Sequence, residues 1–251
     1  MLIKTKSFTL ATYSKGDETS KNFALVLPGK LDTKDYAHMK NHVEHLANLG
    51  FFALSLDPPG TWESGDNISD YTTTNYIKAI NELIQYFDNK ETFLMGHSRG
   101  GSMAMLVGTT NINVKSFAAV MSYSYVNNYK DAKEEVWKKA GFITTSRDLP
   151  PGGGEKVKEF KLPFSFLEDQ KQYTTDDKLK VSEKPKLFIL GKHDVMVPPE
   201  KVKQAFESAA EPKELYELDS GHDYRHYPKL IEEVNKVVED FLKKYNLIQN
   251  V

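Results

Sequence analysis

Residues 91–105 read Glu-Thr-Phe-Leu-Met-Gly-His-Ser-Arg-Gly-Gly-Ser-Met-Ala-Met and contain a Gly-x-Ser-x-Gly pattern at Gly96, Ser98 and Gly100. The apolar run before the pattern predicts a strand, and the Ala- and Met-rich run after it predicts a helix. In such a strand-turn-helix unit the serine lies on a sharp turn at the sheet edge, where its hydroxyl is exposed as a nucleophile. The turn also places the backbone N–H of Arg99 at the positive end of the helix, beside any oxyanion that forms.

Strands and helices alternate along most of the chain. Apolar runs predict strands over 3–13 (one strand or a bent pair), 23–27, 51–56, 116–121, 186–190 and 214–218. Helical spacing of apolar residues predicts helices over 35–49, 73–87, 199–209 and 227–245. This alternation favours an α/β fold with a mostly parallel sheet of about seven to eight strands and helices on both faces. We expect a single domain over residues 1–251.

The alternation breaks over residues 123–183, which lie between two predicted strands and look inserted. We expect two short helices there, over 131–140 and 155–160, separated by Pro150-Pro-Gly-Gly-Gly154. Aromatic residues are frequent in this stretch and include Tyr123, Tyr125 and Trp137.

Polar residues follow the ends of five predicted strands, at residues 28–30, residues 57–64, Ser98, Asp194 and His222. Because ligands bind beyond the carboxyl ends of parallel strands, we expect all five places to face one crevice. A serine nucleophile needs a base, and the base needs a carboxylate that orients it. Asp194 and His222 supply these groups in the chain order Ser, Asp, His.

Rival residues are less suitable for these roles. His193 adjoins Asp194, and His226 stands just before a predicted helix. His97 lies inside the strand-to-helix turn over residues 96–100, which we call the elbow. We expect none of the three to be the base. The residues directly after the predicted strand that ends at Met121 are Ser122-Tyr123-Ser124-Tyr125, so no acid is available there.

Three ordered motifs now resemble the α/β-hydrolase superfamily over essentially the whole chain: Gly-His-Ser-Arg-Gly-Gly at 96–101, Gly-x-x-Asp-x-x-Val-Pro at 191–198, and Ser-Gly-His at 220–222. The resemblance implies Ser98 as nucleophile, Asp194 as acid and His222 as base. It also implies an oxyanion hole formed by the N–H groups of Arg99 and Lys30, although Lys30 follows Pro28-Gly29 where the family has His-Gly.

The same resemblance makes residues 123–183 a lid over the site. More loosely, the length and place of this lid are similar to the caps of small intracellular esterases, including feruloyl and cinnamoyl esterase-like enzymes. We expect Tyr123 and Tyr125 to contact substrate and most of the other aromatics to pack the lid onto the body. The loop after residue 56 carries Trp62 where the family commonly has glycine, and we expect Trp62 near the pocket mouth.

Composition excludes several classes of function. The chain has 33 Lys and Arg against 35 Asp and Glu, so no net field would recruit nucleic acid or an anionic membrane. It has no cysteine, hence no disulfide or thiolate metal site. His38, His42 and His45 share one helix face, which we interpret as a polar face and not as a metal site. No apolar leader or membrane span is present, so we expect a cytoplasmic protein, as a monomer or homodimer, without cofactor.

The sequence therefore predicts a serine hydrolase that cleaves small or medium carboxylic esters. Two alternatives stay open. The same residues could cleave an amide, a peptide N-terminus or a thioester, because the three catalytic residues alone do not determine which leaving group the substrate carries. A peptidase would need an acid to bind the substrate amine, for which the inserted stretch offers Glu168, Asp169, Asp176 and Asp177. The chain could also be a ligand-binding module with negligible turnover.

Overall fold

The computed structural model describes residues 1–65, 67–124, 134–150 and 156–248. Its strands are β1 (Leu2–Lys4), β2 (Thr9–Lys15), β3 (Asn22–Leu27), β4 (Phe52–Leu56), β5 (Glu91–His97), β6 (Val114–Val120), β7 (Phe142–Asp148), β8 (Val157–Pro163), β9 (Lys186–Gly191) and β10 (Lys213–Leu218). Its α-helices are α1 (Ala37–Asn48), α2 (Thr73–Tyr86), α3 (Arg99–Gly108), α4 (Glu134–Ala140), α5 (Ser165–Gln170), α6 (Asp176–Leu179), α7 (Pro199–Ser208) and α8 (Pro228–Lys244).

Eight of these strands form one sheet in the order β1-β2-β4-β3-β5-β6-β9-β10. The pairs from β4 to β10 are parallel, whereas β1 and β2 form the bent antiparallel pair at the edge. The mostly parallel α/β sheet predicted from the sequence is therefore confirmed.

Helices cover both faces of this sheet, because its central strands are apolar on both sides. Apolar residues of α2, α3 and α7 form the core on one face, and those of α1 and α8 form the core on the other. Strand β3 shows the reason, since Phe23 to Leu27 are all fully buried. The carboxyl ends of β3, β5, β9 and β10 reach the same edge, which places their following loops together.

The described part of residues 123–183, which we call the insert, differs from the sequence prediction. Helix α4 lies within the first predicted helix, but the second, over 155–160, is wrong: from Val157 onward the chain forms β8, paired antiparallel with β7. Phe160 and Leu162 are buried while Lys161 between them is exposed, which is the two-residue period of a strand. The short segment resembled a helix only through its charged residues.

A third apolar cluster attaches the insert to the body. It joins insert residues to the loops that follow β3 and precede α2, and its buried members are Leu31, Tyr71, Trp137, Phe160, Leu162, Phe166 and Leu167. Most of the described aromatic residues of the insert thus pack inward. Among the described residues, no helix is both long and apolar enough to cross a membrane.

Candidate active site

The sharp turn at Ser98 requires glycine at two neighbouring positions, Gly96 and Gly100. Ser98 has φ 52° and ψ −121°, a backbone conformation that costs an L-residue about 1–3 kcal/mol. A Cβ on Gly100 would come within 1.9 Å of the Leu27 carbonyl oxygen, and one on Gly96 within 2.2 Å of the Gly100 backbone. Glycine at both positions therefore lets α3 start directly against β3 and β5. The Ser98 hydroxyl is left at the carboxyl edge of the sheet.

Ser98, His222 and Asp194 form a continuous hydrogen-bonded chain. The Ser98 hydroxyl lies 3.0 Å from His222 Nε2, and His222 Nδ1 lies 2.7 Å from Asp194 Oδ2. The carboxylate must accept from Nδ1–H, which leaves the Nε2 lone pair facing the hydroxyl. The structure thus brings together the three residues that the sequence selected.

The acid is fixed by its own loop. The second oxygen of Asp194 accepts backbone N–H bonds from Met196, at 2.9 Å, and Val197, at 2.8 Å. The side chains of Asp194 and His222 are 0% and 8% exposed, so water does not compete for the bond between them.

The rival histidines lie elsewhere. His193 is exposed and its Nε2 lies 2.9 Å from the Asp219 carboxylate, while His226 is an exposed residue of a short 3-10 turn. His97 is buried behind His222, where its Nε2–H donates to the His222 carbonyl oxygen over 3.1 Å. That bond connects the elbow to the loop that carries His222.

A cavity of about 280 Å³ opens above Ser98. Residues from the body and the insert line it together. The apolar and aromatic members are Tyr123, Trp137, Phe166, Leu167, Met196 and Val197, and the charged members are Lys30, Asp32, Arg99, Arg147, Asp223 and Arg225. A wall that combines apolar side chains with an equal number of charged ones suits a small organic ligand that carries both apolar and polar groups.

The two residues expected to form the oxyanion hole both line this cavity with Ser98. Arg99 is the first residue of α3, and its buried side chain donates to Gln170 Oε1 at 2.9 Å and to Thr73 Oγ1 at 3.0 Å. The Lys30 carbonyl oxygen accepts from Arg147 Nε at 2.9 Å. Both backbone segments are therefore anchored to the insert, a feature that no sequence motif indicated.

The predicted substrate contacts have three different outcomes. Tyr123 lines the cavity. Tyr125 lies outside the described residues. Trp62 is not among the described residues that line the cavity: its indole N–H donates to the Leu31 carbonyl oxygen at 2.8 Å, and its ring packs edge-on against Phe160.

Charged residues that the sequence analysis missed surround the cavity. Arg147 Nε lies 3.2 Å from Asp32 Oδ1, which pairs a residue of β7 with the loop after β3. Burial raises the pKa of Asp32, while the nearby Arg147 and Arg225 oppose that rise. These residues carry no recognisable spacing, and their pairing depends on how the insert folds back. Only the position of Asp32 beyond a strand end could have indicated a role.

The acids considered as anchors for a substrate amine are also absent from the described lining of this cavity. Asp169 instead accepts the backbone N–H groups of Thr73, at 2.6 Å, and Thr74, at 3.1 Å, at the start of α2. Asp176 lines a separate neighbouring cavity.

The histidine face of α1 is buried. His42 bonds to Asn235 Oδ1 at 2.6 Å and to the Tyr224 hydroxyl at 2.8 Å, and burial lowers its pKa to about 4. His38 is fully buried beside His97, whereas His45 is half-buried. The face is polar as expected, but two of its three imidazoles lie inside the protein because α1 packs beneath α8.

Comparison with known proteins agrees with this architecture. The sequence model of a family described as alpha/beta hydrolase fold matches residues 25–145. No curated protein matches the chain in sequence.

Several solved structures share the fold along nearly the whole chain. Ferulic acid-bound Est1E from Butyrivibrio proteoclasticus has a TM-score of 0.76 at 18% identity, covering 97% of this chain and 98% of Est1E. The enol-lactonase from Burkholderia xenovorans LB400 has a TM-score of 0.71 at 15% identity, covering 97% of this chain and 100% of the enol-lactonase. The monoacylglycerol lipase of Paleococcus ferrophilus has a TM-score of 0.71 at 17% identity, covering 94% of this chain and 98% of the lipase.

The fold shared with these structures continues beyond residue 145, where the match of the family model ends. On this evidence the chain has the α/β-hydrolase fold.

Proposed function

We propose that this protein is a serine hydrolase that cleaves small to medium carboxylic esters through an acyl-enzyme. The observation that carries the proposal is the hydrogen-bonded chain from Ser98 through His222 to Asp194, which opens into a cavity. Groups in this arrangement activate a serine hydroxyl without a cofactor.

The reaction follows from the geometry. His222 Nε2 takes the hydroxyl proton as Ser98 Oγ attacks the ester carbonyl carbon, and Asp194 stabilises the imidazolium that forms. The backbone N–H groups of Arg99 and Lys30 stabilise the oxyanion, and His222 then protonates the departing alcohol. Water, activated by His222, releases the acid and restores Ser98.

The cavity favours a compact substrate. Its volume of about 280 Å³ lies at the lower end of the range of about 300–1,000 Å³ for small-molecule sites. The aromatic rings of Trp137 and Phe166 give it an apolar wall. An ester with a small or flat acyl group fits these properties better than a long chain.

Labelling with a fluorophosphonate tests the proposal. Intact mass should show one adduct on the native protein and none on Ser98→Ala. Ser102→Ala is the matched control, because Ser102 also lines the cavity but its hydroxyl lies 3.0 Å from Ser122 Oγ, away from the triad. This control should label like the native protein.

Turnover of an ester panel then separates the alternatives. Hydrolysis by the native protein and not by Ser98→Ala supports the proposal. An adduct accompanied by faster cleavage of amides or thioesters would assign the same triad to a different substrate. A folded native protein with neither adduct nor turnover would overturn the proposal in favour of a ligand-binding module.

A further inference from the structure

A second group of buried polar side chains lies behind the proposed triad. Asp32 follows β3, His38 lies on α1 and His97 ends β5, and potential metal-ligand atoms of the three all lie within 4.8 Å of one another. Their exposed fractions are 7%, 0% and 2%. The hydrogen-bonded chain from Ser98 through His222 to Asp194 includes none of them.

The imidazole nitrogens of His38 have no hydrogen-bond partner among the described residues. Neither of its ring nitrogens accepts or donates a hydrogen bond there, although both are buried. Its ring lies nearly perpendicular to those of His97 and Tyr224, each with a centroid 5.6 Å away. Buried polar atoms are almost always satisfied, so a species outside the chain, either water or an ion, is needed at this place.

His97 has the orientation of a metal ligand. Its Nε2–H donates to the His222 carbonyl oxygen, so the lone pair is on Nδ1. Nδ1 lies 4.0 Å from Asp32 Oδ2, too far for a hydrogen bond, and has no hydrogen-bond partner among the described residues. Histidines that bind metals commonly donate their other N–H to a backbone carbonyl in this way.

Asp32 completes the donor set. Its Oδ1 accepts from Arg147 Nε at 3.2 Å, which leaves Oδ2 on the side of His97. Arg147 would therefore act as the outer partner of a ligating carboxylate. Both imidazoles are buried beside this carboxylate, so a ring nitrogen of each can reach an ion held between the three side chains.

We propose that Asp32, His38 and His97 bind a divalent transition-metal ion of the zinc class. Two imidazole nitrogens and one carboxylate oxygen suit Zn²⁺ or Co²⁺, whereas Mg²⁺ and Ca²⁺ prefer oxygen donors. Zinc–nitrogen bonds of about 2.0–2.1 Å place ligand atoms roughly 3.4 Å apart, so the three side chains must draw together on binding. Asp32 and His97 also line the cavity above Ser98, which gives an ion a way in.

Zinc binding to the metal-free protein tests the site. After chelator treatment and exchange into metal-free buffer, the native protein is dialysed against Zn²⁺ and its zinc content is measured by mass spectrometry. We expect one equivalent. His38→Leu should weaken binding more than about 100-fold, because losing even an outer partner costs about 10- to 100-fold.

Two controls separate this site from other histidines. His222→Ala removes the triad imidazole but keeps the carbonyl that orients His97, and His193→Ala removes an exposed imidazole. Both should bind zinc like the native protein. Loss of zinc in His222→Ala would place the ion in the triad and overturn the proposal.

A second variant covers the case in which His38→Leu does not fold. Asp32→Asn keeps the side-chain volume and an acceptor for Arg147, and it should also lose zinc. Absence of zinc from the native protein, or binding that persists in folded His38→Leu or in Asp32→Asn, would show that water fills the space. Fluorophosphonate labelling of Ser98 is read independently, so failure of the metal site leaves the proposed hydrolase untouched.

Discussion

Arg225 and Asp148 form a two-point ion pair in which the guanidinium Nη1 and Nη2 lie 3.0 and 2.9 Å from the two carboxylate oxygens. The side chains are only 12% and 15% exposed. The pair joins the end of β7 in the insert to the segment three residues after His222. The wall of the cavity and the loop of the proposed base are thus positioned together.

Asp148→Ala should therefore destabilise the protein. The change leaves a mostly buried guanidinium without its main partner, for which we expect a loss of about 1–3 kcal/mol in the free energy of unfolding. Urea denaturation measures it. Asp223→Ala is the control, because Asp223 pairs with the same arginine from a side chain that is 56% exposed, and its loss should cost less than about 1 kcal/mol. Equal losses in both variants would contradict the importance of the Asp148 pair.

Asp194→Asn should lower kcat on an ester substrate by about 10³- to 10⁴-fold, because an amide no longer fixes the proton on His222 Nδ1 or stabilises the imidazolium. The fold should persist, since the amide oxygen can still accept from the backbone N–H groups of residues 196 and 197. Asp219→Asn changes the carboxylate beside the exposed His193 and should leave kcat within a few-fold of native. A mild effect of Asp194→Asn would mean that another acid serves His222.

Gly100→Ala should be severely destabilising. The new methyl would lie 1.9 Å from the Leu27 carbonyl oxygen and 2.8 Å from that of Pro28, both of them backbone atoms that cannot rotate away. We expect a loss of about 3 kcal/mol or more, the upper end for overpacking. Gly221→Ala, next to His222, meets only the His193 carbonyl oxygen at 3.7 Å and should keep native stability. Thermal and urea unfolding compare the two.

Stability should fall as the pH drops from 6.5 towards 4, because His42 is buried as a neutral ring. Its pKa is about 4 in the folded protein and 6.5 when exposed, so within this window the unfolded chain binds the extra proton. Each pH unit should remove up to about 1.4 kcal/mol for this residue. Urea unfolding between pH 7 and pH 4.5 should show a shallower slope for His42→Gln. An unchanged slope would mean that His42 is protonated in the fold; His193→Gln provides the surface control.

Three segments could be predicted from the sequence: the elbow, the loop that carries Asp194 (residues 191–198) and the loop that carries His222 (residues 220–222). Each depends on residues that are close to it along the chain. Ser98 needs two nearby glycines, and Asp194 is held by the N–H groups of its own loop. Regular alternation along the chain was likewise enough to predict a mostly parallel sheet with helices on both faces.

The missed features depend on contacts between distant residues. Strand β8 becomes a strand through pairing with β7, and Arg147 reaches both Asp32 and the Lys30 carbonyl only after that hairpin forms. His38 was interpreted as part of a polar helix face. Helical spacing shows which residues of α1 share a face, but it does not show which other element packs against that face. The contact between the Trp62 ring and Phe160 of the insert could not be predicted for the same reason.

The insert begins after β6 and ends before β9, and these two strands are direct neighbours in the sheet, with Val120 opposite Ile189. A segment that departs and returns between paired strands can change in length or sequence while every strand keeps its partners. Such a chain separates two evolutionary pressures, because selection on the cavity wall acts on the insert and selection for folding acts on the sheet. Descendants could then diverge in chemistry while inheriting one unchanged scaffold.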